Sequence, residues 1–338
     1  MTLNEQQTIA AAVDQWITGI PGRIPGQTIF VENPEHVPYA HELADEESIV
    51  LVLNGDDGDD KVIAVAGTFD VSGEELLVGG QLSLEIQDYL AIPFISLVGV
   101  TVVRITTDDD WRAFFDDATE ARRSGHFVRQ LTEVNAVLAE RGLLAGERIH
   151  RLARLHIAAD GTIPSGPYGA KIGRAGDPMH DLQSKALALP PGSAVASVAG
   201  ALDVRESLAN RPWIPRYLAA LDAWKFIPRD DRPDTRFVGF GLSLYGATIN
   251  DDLPSPSAPF IIQQGIQFKL LDTRTGRLFK LGPDAATVIE AVSNLRDLKA
   301  AAAAVAIPLG VSKELAESSA QAVIDEFAQL GIDILGTR

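Results

Sequence analysis

The order of apolar patterns along the chain predicts two domains, a mixed α/β domain followed by a small β3α3 domain. In the first 250 residues, short apolar runs typical of buried strands alternate with segments of helical period. From residue 260 onward, three strand-like runs precede three helical patterns. The turn-forming segment NDDLPSPSAP separates the two series. The sequence therefore predicts an α/β domain over 1–250, a linker over 250–259 and a second domain over 260–338.

The first elements of the α/β domain follow from hydrophobic spacing. Ile9, Val13, Trp16 and Ile17 recur at helical intervals and predict an N-terminal helix. Three apolar runs of strand length come next, and we expect each to form a buried strand. These runs are Gln27–Val31, Ser48–Leu53 and Lys61–Ala66.

The middle of the α/β domain predicts a strand and two helices. The β-branched run Ile92–Ile105 is expected to form a strand that leads into a helix, where Thr107 and Asp110 have the spacing of a capping box. A second helix is predicted over Phe127–Arg141, ending at Gly142. A sub-boundary is expected near 142–147.

The remainder of this domain contains shorter elements. Short strands are predicted between Arg148 and Ile172, with a turn at Asp160-Gly161. A helix is predicted over Pro212–Phe226, because proline is favoured in the first turn and the following apolar residues share one face.

Composition and charge exclude several classes of function. Of the 338 residues, 46% are hydrophobic and 22% are charged, as in soluble globular proteins. No apolar run approaches the roughly 18 residues that cross a bilayer, and the first residues lack a signal-peptide pattern, so we expect a cytoplasmic protein with no membrane partner. The absence of cysteine excludes disulfides and thiolate chemistry. A formal net charge of −17 disfavours nucleic acid as a partner.

No motif in the sequence supports a catalytic, metal or cofactor site. The glycine-rich segment SGPYGAKIGRAG fails the P-loop pattern, and GFGLSLYG lacks the third glycine of a dinucleotide-binding fingerprint. The six histidines have no metal-ligand spacing. Because catalytic groups are assembled in space, an active site within residues 1–250 remains an alternative.

The C-terminal domain has the clearest pattern. Strands are predicted over Phe260–Gln264, Ile266–Asp272 and Arg277–Leu281. Helices are predicted from Pro283, over Leu295–Ala306 and over Lys313–Leu330. On the third helix we expect a core stripe formed by Leu315, Val323, Phe327 and Leu330.

Three segments of this domain, LLDTRTGRLFKLGPDAATVIEAV, IPLGVS and FAQLGIDIL, carry a resemblance to a known family. With them, the region from Phe260 to Leu335 resembles the PqqD-like domains, which are the RiPP recognition elements of ribosomal peptide modification pathways. The resemblance implies a winged-helix-like β3α3 fold. It also implies that a precursor's leader peptide adds as a strand to the third strand and packs against the third helix. The peptide-binding residues would be Arg277, Leu278, Phe279, Lys280 and Leu281 on the strand, and Ala320, Gln321, Ile324 and Ala328 on the helix.

The upstream domain carries a narrower resemblance. With SLVGVTVVRITTDDDWRAFFDDATEARRSGHF and RPWIPRYLAALDAW, the chain looks similar to the recognition proteins of daptide pathways. That similarity implies an adaptor without catalytic activity, whose partners are the leader peptide and the modifying enzymes of the same pathway.

Two alternatives remain open at this point. One is a peptide-modifying enzyme with its catalytic site in residues 1–250 and a C-terminal docking domain. The other is a DNA-binding winged-helix regulator. The second is disfavoured because the predicted third helix has one lysine among several acidic residues, whereas a DNA-reading helix is expected to be basic.

Overall fold

The structure, a computed structural model, describes residues 3–55, 62–145, 152–189, 203–246 and 254–336. The chain divides into two compact units, one formed by Met1–Phe115 and Glu133–Asn210 and the other by Asp116–Thr132 and Arg211–Arg338. Helices and strands alternate in the first unit, so the predicted mixed α/β class is confirmed.

The described strands and helices are numbered in chain order. The strands are β1 (Thr28–Val31), β2 (Ile49–Leu53), β3 (Val62–Gly67), β4 (Glu75–Val78), β5 (Leu82–Asp88), β6 (Val100–Arg104), β7 (Ala136–Leu138), β8 (Arg154–Ile157), β9 (Thr162–Pro164), β10 (Lys171–Arg174), β11 (Thr235–Phe237), β12 (Phe260–Gln264), β13 (Gln267–Asp272) and β14 (Arg277–Leu281). The α-helices are α1 (Leu3–Thr18), α2 (Val37–Leu43), α3 (Asp108–Ser124), α4 (Arg141–Leu144), α5 (Met179–Leu187), α6 (Val204–Ala209), α7 (Ile214–Lys225), α8 (Pro283–Leu295), α9 (Leu298–Leu309) and α10 (Lys313–Gln329).

The first unit is built on an eight-stranded mixed sheet in the order β7-β6-β5-β4-β3-β2-β1-β8. Strands β3, β4 and β5 pair antiparallel, and the other neighbours in this sheet pair parallel. Continuous apolar runs such as IVLVL in β2 suit parallel strands, because both faces of such a sheet are covered. The sheet curls, and both edge strands, β7 and β8, contact α1.

A core of aromatic and aliphatic side chains fills the space between α1 and the curled sheet. Trp16 of α1 stacks on Phe30 of β1 with ring centroids 4.0 Å apart and an interplanar angle of 8°. Leu51, Val65 and Val102 extend this core across the neighbouring strands. A second core covers the other face of the sheet. It includes Val31, Val50, Leu155, Ala40 of α2 and Leu182 of α5.

Most of the predicted elements of the first unit are present, and two are wrong. The capping box is confirmed, since the Asp110 amide donates to Thr107 Oγ1 at 3.1 Å and Asp110 Oδ2 accepts from the Thr107 amide at 3.0 Å. The turn at Asp160-Gly161 is also present, closed by the Ala158 amide, which donates to the Thr162 carbonyl at 2.9 Å.

The predicted helix over Phe127–Arg141 is wrong. A 3-10 turn over Arg129–Thr132, the strand β7 and the short helix α4 lie there. Val137 of β7 pairs with Val102 of β6, so tertiary strand pairing prevails over the local helical period.

The predicted strand over Ile92–Ile105 is half wrong. Its first residues form a 3-10 helix, Tyr89–Phe94, and the strand begins only at Val100. Pro93 lies within the 3-10 segment, where its missing N–H costs no ladder hydrogen bond. Part of the predicted sub-boundary near 142–147 lies outside the described residues.

The second unit is built on an antiparallel sheet in the order β11-β12-β13-β14. The three strands and three helices predicted from residue 260 onward are confirmed within a few residues. The sequence did not predict β11, which adds a fourth strand. The first residues of the predicted linker, 250–253, lie outside the described part of the chain.

Helical segments cover both faces of this sheet. On one face, α8, α9 and α10 form a core that includes Leu270, Ile289, Val305 and Phe327. On the other face, Phe237 of β11 packs against Trp224 of α7, with ring centroids 4.7 Å apart. Buried residues therefore line both sides of β12 and β13.

Candidate functional site

The strand β14 forms one edge of the sheet of the second unit. It pairs through five residue positions with β13, from Arg277 opposite Asp272 to Leu281 opposite Phe268. No strand of the described residues pairs with its other side. An edge of this kind presents backbone N–H and C=O groups that an additional strand can pair with.

Side chains of β14 alternate between the two faces of the sheet. Phe279 and Leu281 are half-buried and pack against the core formed with α8, α9 and α10. Leu278 and Lys280 are exposed and project to the opposite face. The five predicted strand residues thus form a continuous edge in which Phe279 and Leu281 belong to the core.

The edge strand is tied to α10 at its first residues. The rings of Phe279 and Phe327 meet at 83° with centroids 6.0 Å apart. The Arg277 guanidinium lies 4.7 Å from the centroid of the Phe279 ring, and its Nη1 donates to the Leu330 carbonyl at 3.5 Å. Strand and helix are therefore held side by side, as the predicted site requires.

The four predicted helix residues do not lie on one surface. Ala320 is fully buried and Ile324 is half-buried in the core, whereas Gln321 and Ala328 are exposed. Gln321 Nε2 donates to Asp325 Oδ1 at 2.8 Å, one helical turn away. Only Gln321, Ala328 and the accessible part of Ile324 are available to a ligand beside β14.

The predicted core stripe of this helix is wrong at two of its positions. Leu315 is 55% exposed and Leu330 is 43% exposed. Ala316 and Ala320 take the central core positions instead. Because alanine has a small side chain, the backbone of α10 can approach α8 and α9 closely at these positions. The larger Leu315 then lies on the exposed side of the helix.

One residue near the edge was missed by the sequence. Phe226, at the end of α7, is 44% exposed and lies over the turn between β13 and β14. A Cβ built on Gly276, which has φ +68°, would lie 3.2 Å from Cε1 of Phe226. The only signal was an aromatic residue directly after a helical stripe, and it does not reveal which strand that helix meets.

A second cluster of polar groups lies in the interior of the first unit. Arg154 of β8 donates to Glu140 Oε2 and to the carbonyl of Trp16, and the side chains of Arg154 and Glu140 are both buried. Glu140 has a left-handed backbone with φ 59°. Burial raises the pKa of the Glu140 carboxyl, and the charge of Arg154 opposes that rise.

Next to this ion pair, His156 Nε2 lies 2.8 Å from Glu32 Oε1. The hydrogen bond from His156 lowers the pKa of Glu32 below its usual 4.5. Among the described residues, His156 Nδ1, Trp16 Nε1 and Ser165 Oγ are buried with no hydrogen-bond partner. Sequence reasoning did not assemble this cluster, because its members are far apart along the chain.

The described residues contain no group of three or more His, Asp or Glu side chains placed to hold a metal ion. Within the same residues, every helix is too short or too polar to cross a bilayer. No protein-family model, curated protein or solved structure matches this chain.

Proposed function

We propose that this chain is a non-catalytic recognition protein that captures the leader segment of a precursor peptide and presents it to modifying enzymes. The open edge of β14 beside α10 carries the proposal. Strand addition uses backbone hydrogen bonds for affinity and flanking pockets for selectivity. The edge from Arg277 to Leu281 supplies the first, and the surface of α10 at Gln321, Ile324 and Ala328 supplies the second.

The order of elements supports assigning residues 260–338 to the PqqD-like, winged-helix-like RiPP recognition elements. Three antiparallel strands, β12 to β14, are followed directly by the three helices α8 to α10. This order is the one that the resemblance implies. The additional strand β11 and the covering helix α7 are features of this chain beyond that pattern.

The narrower assignment is to the recognition proteins of daptide pathways. In this role the first unit binds or orients modifying enzymes, while the second holds the leader peptide. Holding both raises the local concentration of the peptide's modified region at the enzyme, and no catalytic group in the adaptor is then required.

Strand addition can be tested with a display library of random 12-residue peptides, from which those that bind the full-length chain are selected. Selected peptides are synthesised with fluorescein, and their affinity is measured by fluorescence anisotropy. Because neighbouring residues of a strand point their N–H groups in opposite directions, backbone N-methylation should weaken binding at every second position of the peptide and be tolerated between them. We expect losses of about tenfold or more at the sensitive positions, corresponding to one or two lost hydrogen bonds.

A protein variant provides the matching evidence. Leu278→Pro removes one backbone donor and distorts β14, so it should abolish binding, whereas Leu278→Val keeps the backbone donor and should bind. Circular dichroism establishes whether each variant is folded. Peptide binding that is equally insensitive to N-methylation at all positions would refute strand addition, whatever the proline variant does.

The enzyme alternative has one observation in its favour, the unpartnered buried atoms of Trp16, His156 and Ser165. Mass spectrometry of a selected peptide incubated with the full-length chain tests it. A covalent change in the peptide that is lost in His156→Ala would replace the adaptor proposal with a catalytic one.

A further inference from the structure

The face of the second sheet opposite α8, α9 and α10 forms a second wall beside the edge of β14. Phe260, Ile262 and Leu271 on this face are fully buried. The Arg216 guanidinium of α7 lies 3.4 Å from the centroid of the Phe260 ring and donates to the Ala258 carbonyl at 2.5 Å. Helix α7 is therefore firmly seated over β12.

This covering layer ends before it reaches β14. Leu271 of β13 is fully buried, but its cross-strand partner Leu278 is 46% exposed. Phe226 at the end of α7 lies against Gly276, two residues before Leu278, and is 44% exposed. Two half-exposed apolar side chains thus border the free edge on the side away from α10.

A pair of lysines lies next to them on the same face. Lys280 is directly opposite Lys269 in the β13–β14 register. Lys269 Nζ donates to Gln264 Oε1 at 2.5 Å, and Lys280 is exposed. Neither lysine forms an ion pair with a carboxylate of the described residues. Like charges directly opposite one another in a sheet are destabilising, so this position favours an added negative charge.

We propose that the peptide bound at β14 carries an apolar side chain against Phe226 and Leu278 and, two residues away, an acidic side chain against Lys280. The inference rests on the proposed strand addition. Residues two apart on a strand share one face, which is also the spacing between Leu278 and Lys280. The bound segment is therefore recognised on both faces, and residues upstream of 260 contribute to its selectivity.

Charge exchange tests this proposal with the selected, fluorescein-labelled peptides. We expect aspartate or glutamate to be enriched two positions from an apolar residue among them. Lys280→Glu should lower the affinity for such a peptide by about fivefold to tenfold. Replacing the acidic residue of the peptide by lysine should restore its affinity for the Lys280→Glu chain. Lys299→Glu, the same change on the exposed side of α9, should leave both affinities unchanged.

A second variant tests the proposed contact between Phe226 and the apolar side chain of the peptide. Phe226→Ser should weaken the peptide by roughly fivefold, since it removes part of an aromatic contact area. The loss should disappear when the facing apolar residue of the peptide is replaced by serine.

The outcomes separate this inference from strand addition itself. If N-methylation confirms strand addition but Lys280→Glu and Phe226→Ser leave affinity and peptide preference unchanged, the inference is wrong and the proposed function stands. If N-methylation shows no alternation, or if no peptide is selected, both are wrong.

Discussion

The two sheets of this protein differ in whether other elements cover their edge strands. In the first unit, both edge strands lie against α1, and the buried pair of Arg154 and Glu140 joins β8 to the residues that follow β7. In the second unit, β14 ends the sheet without a partner among the described residues. Free strand edges invite pairing with other chains, and proteins usually cover or shorten them. Binding is therefore expected at the uncovered edge of β14.

Removing the charge of Glu140 from the buried pair with Arg154 should have the largest effect on stability. Glu140→Gln leaves Arg154 buried without a counter-charge, and we expect a loss of about 3–5 kcal/mol in the stability of the first unit. Hydrogen exchange of the β7 and β8 amides, followed by mass spectrometry, measures it in the full-length chain. Asp109→Asn, which breaks the exposed pair with Arg112, should cost less than about 1 kcal/mol. Equal losses in both variants would contradict the closure of the sheet by the buried pair.

The orientation of α10 beside β14 can be tested by making the same substitution, alanine to leucine, at two positions of this helix. Ala320→Leu overfills a fully buried position, so we expect a loss of about 1–3 kcal/mol in a urea titration. Ala328→Leu adds the same atoms at an exposed position, so it should change stability by less than about 0.5 kcal/mol. If Ala328 lines the peptide site, only this second variant should change peptide affinity without unfolding the domain. Similar stability losses at the two positions would refute the orientation assigned to α10.

The smallest expected effect on stability concerns the partners of one buried carboxylate in each unit. Glu140 has Arg154 as its partner, whereas Glu290 of α8 accepts a hydrogen bond from the Leu244 amide at 2.6 Å. Burial raises the pKa of Glu290 above its usual 4.5, so the unfolded chain gives up this proton at lower pH than the folded chain. The second unit should therefore lose stability as pH rises from about 4.5 through the raised pKa.

Urea midpoints at pH 4 and pH 7 measure this dependence. Glu290→Gln keeps an acceptor for the Leu244 amide and removes the charge, so the drop between the two pH values should shrink. Glu326→Gln, on the exposed side of α10, is the matched control and should keep the drop of the parent chain. An unchanged drop in Glu290→Gln would mean that another group is responsible.

Local sequence signals predicted the elements of the second unit well. Pro283 at the first turn of α8 and the Ser312 cap of α10 mark helix starts within a residue or two. The second predicted helix starts at Leu295, three residues before α9, which begins directly after its Asp297 cap. Glycines with positive φ end the segments, as Gly310 does after α9. These signals act within a few residues, so a single sequence contains all of the information they need.

Predictions failed where distant residues decided the outcome. Segment 127–141 has a helical period but forms β7, because β6 offers a pairing partner. Ala320 was predicted to line the peptide site and is buried, because small residues let α10 pack closely. Phe226 was not predicted to lie near the site at all, since its neighbour Gly276 is distant in sequence.

The sequence by itself determined the mixed α/β class of the first unit and the strand and helix order from residue 260. Both depend on periodicity, caps and turns, which are local properties. The choice of Arg277–Leu281 as a candidate receptor strand was implied by the resemblance to the PqqD-like domains. Only the tertiary structure decided that β14 lies at the end of its sheet, that Phe279 faces the core while Leu278 and Lys280 face outward, and that Phe226 borders the same edge. The reason is physical, because an edge exists only relative to the other strands of a sheet, and strand order is set by long-range packing.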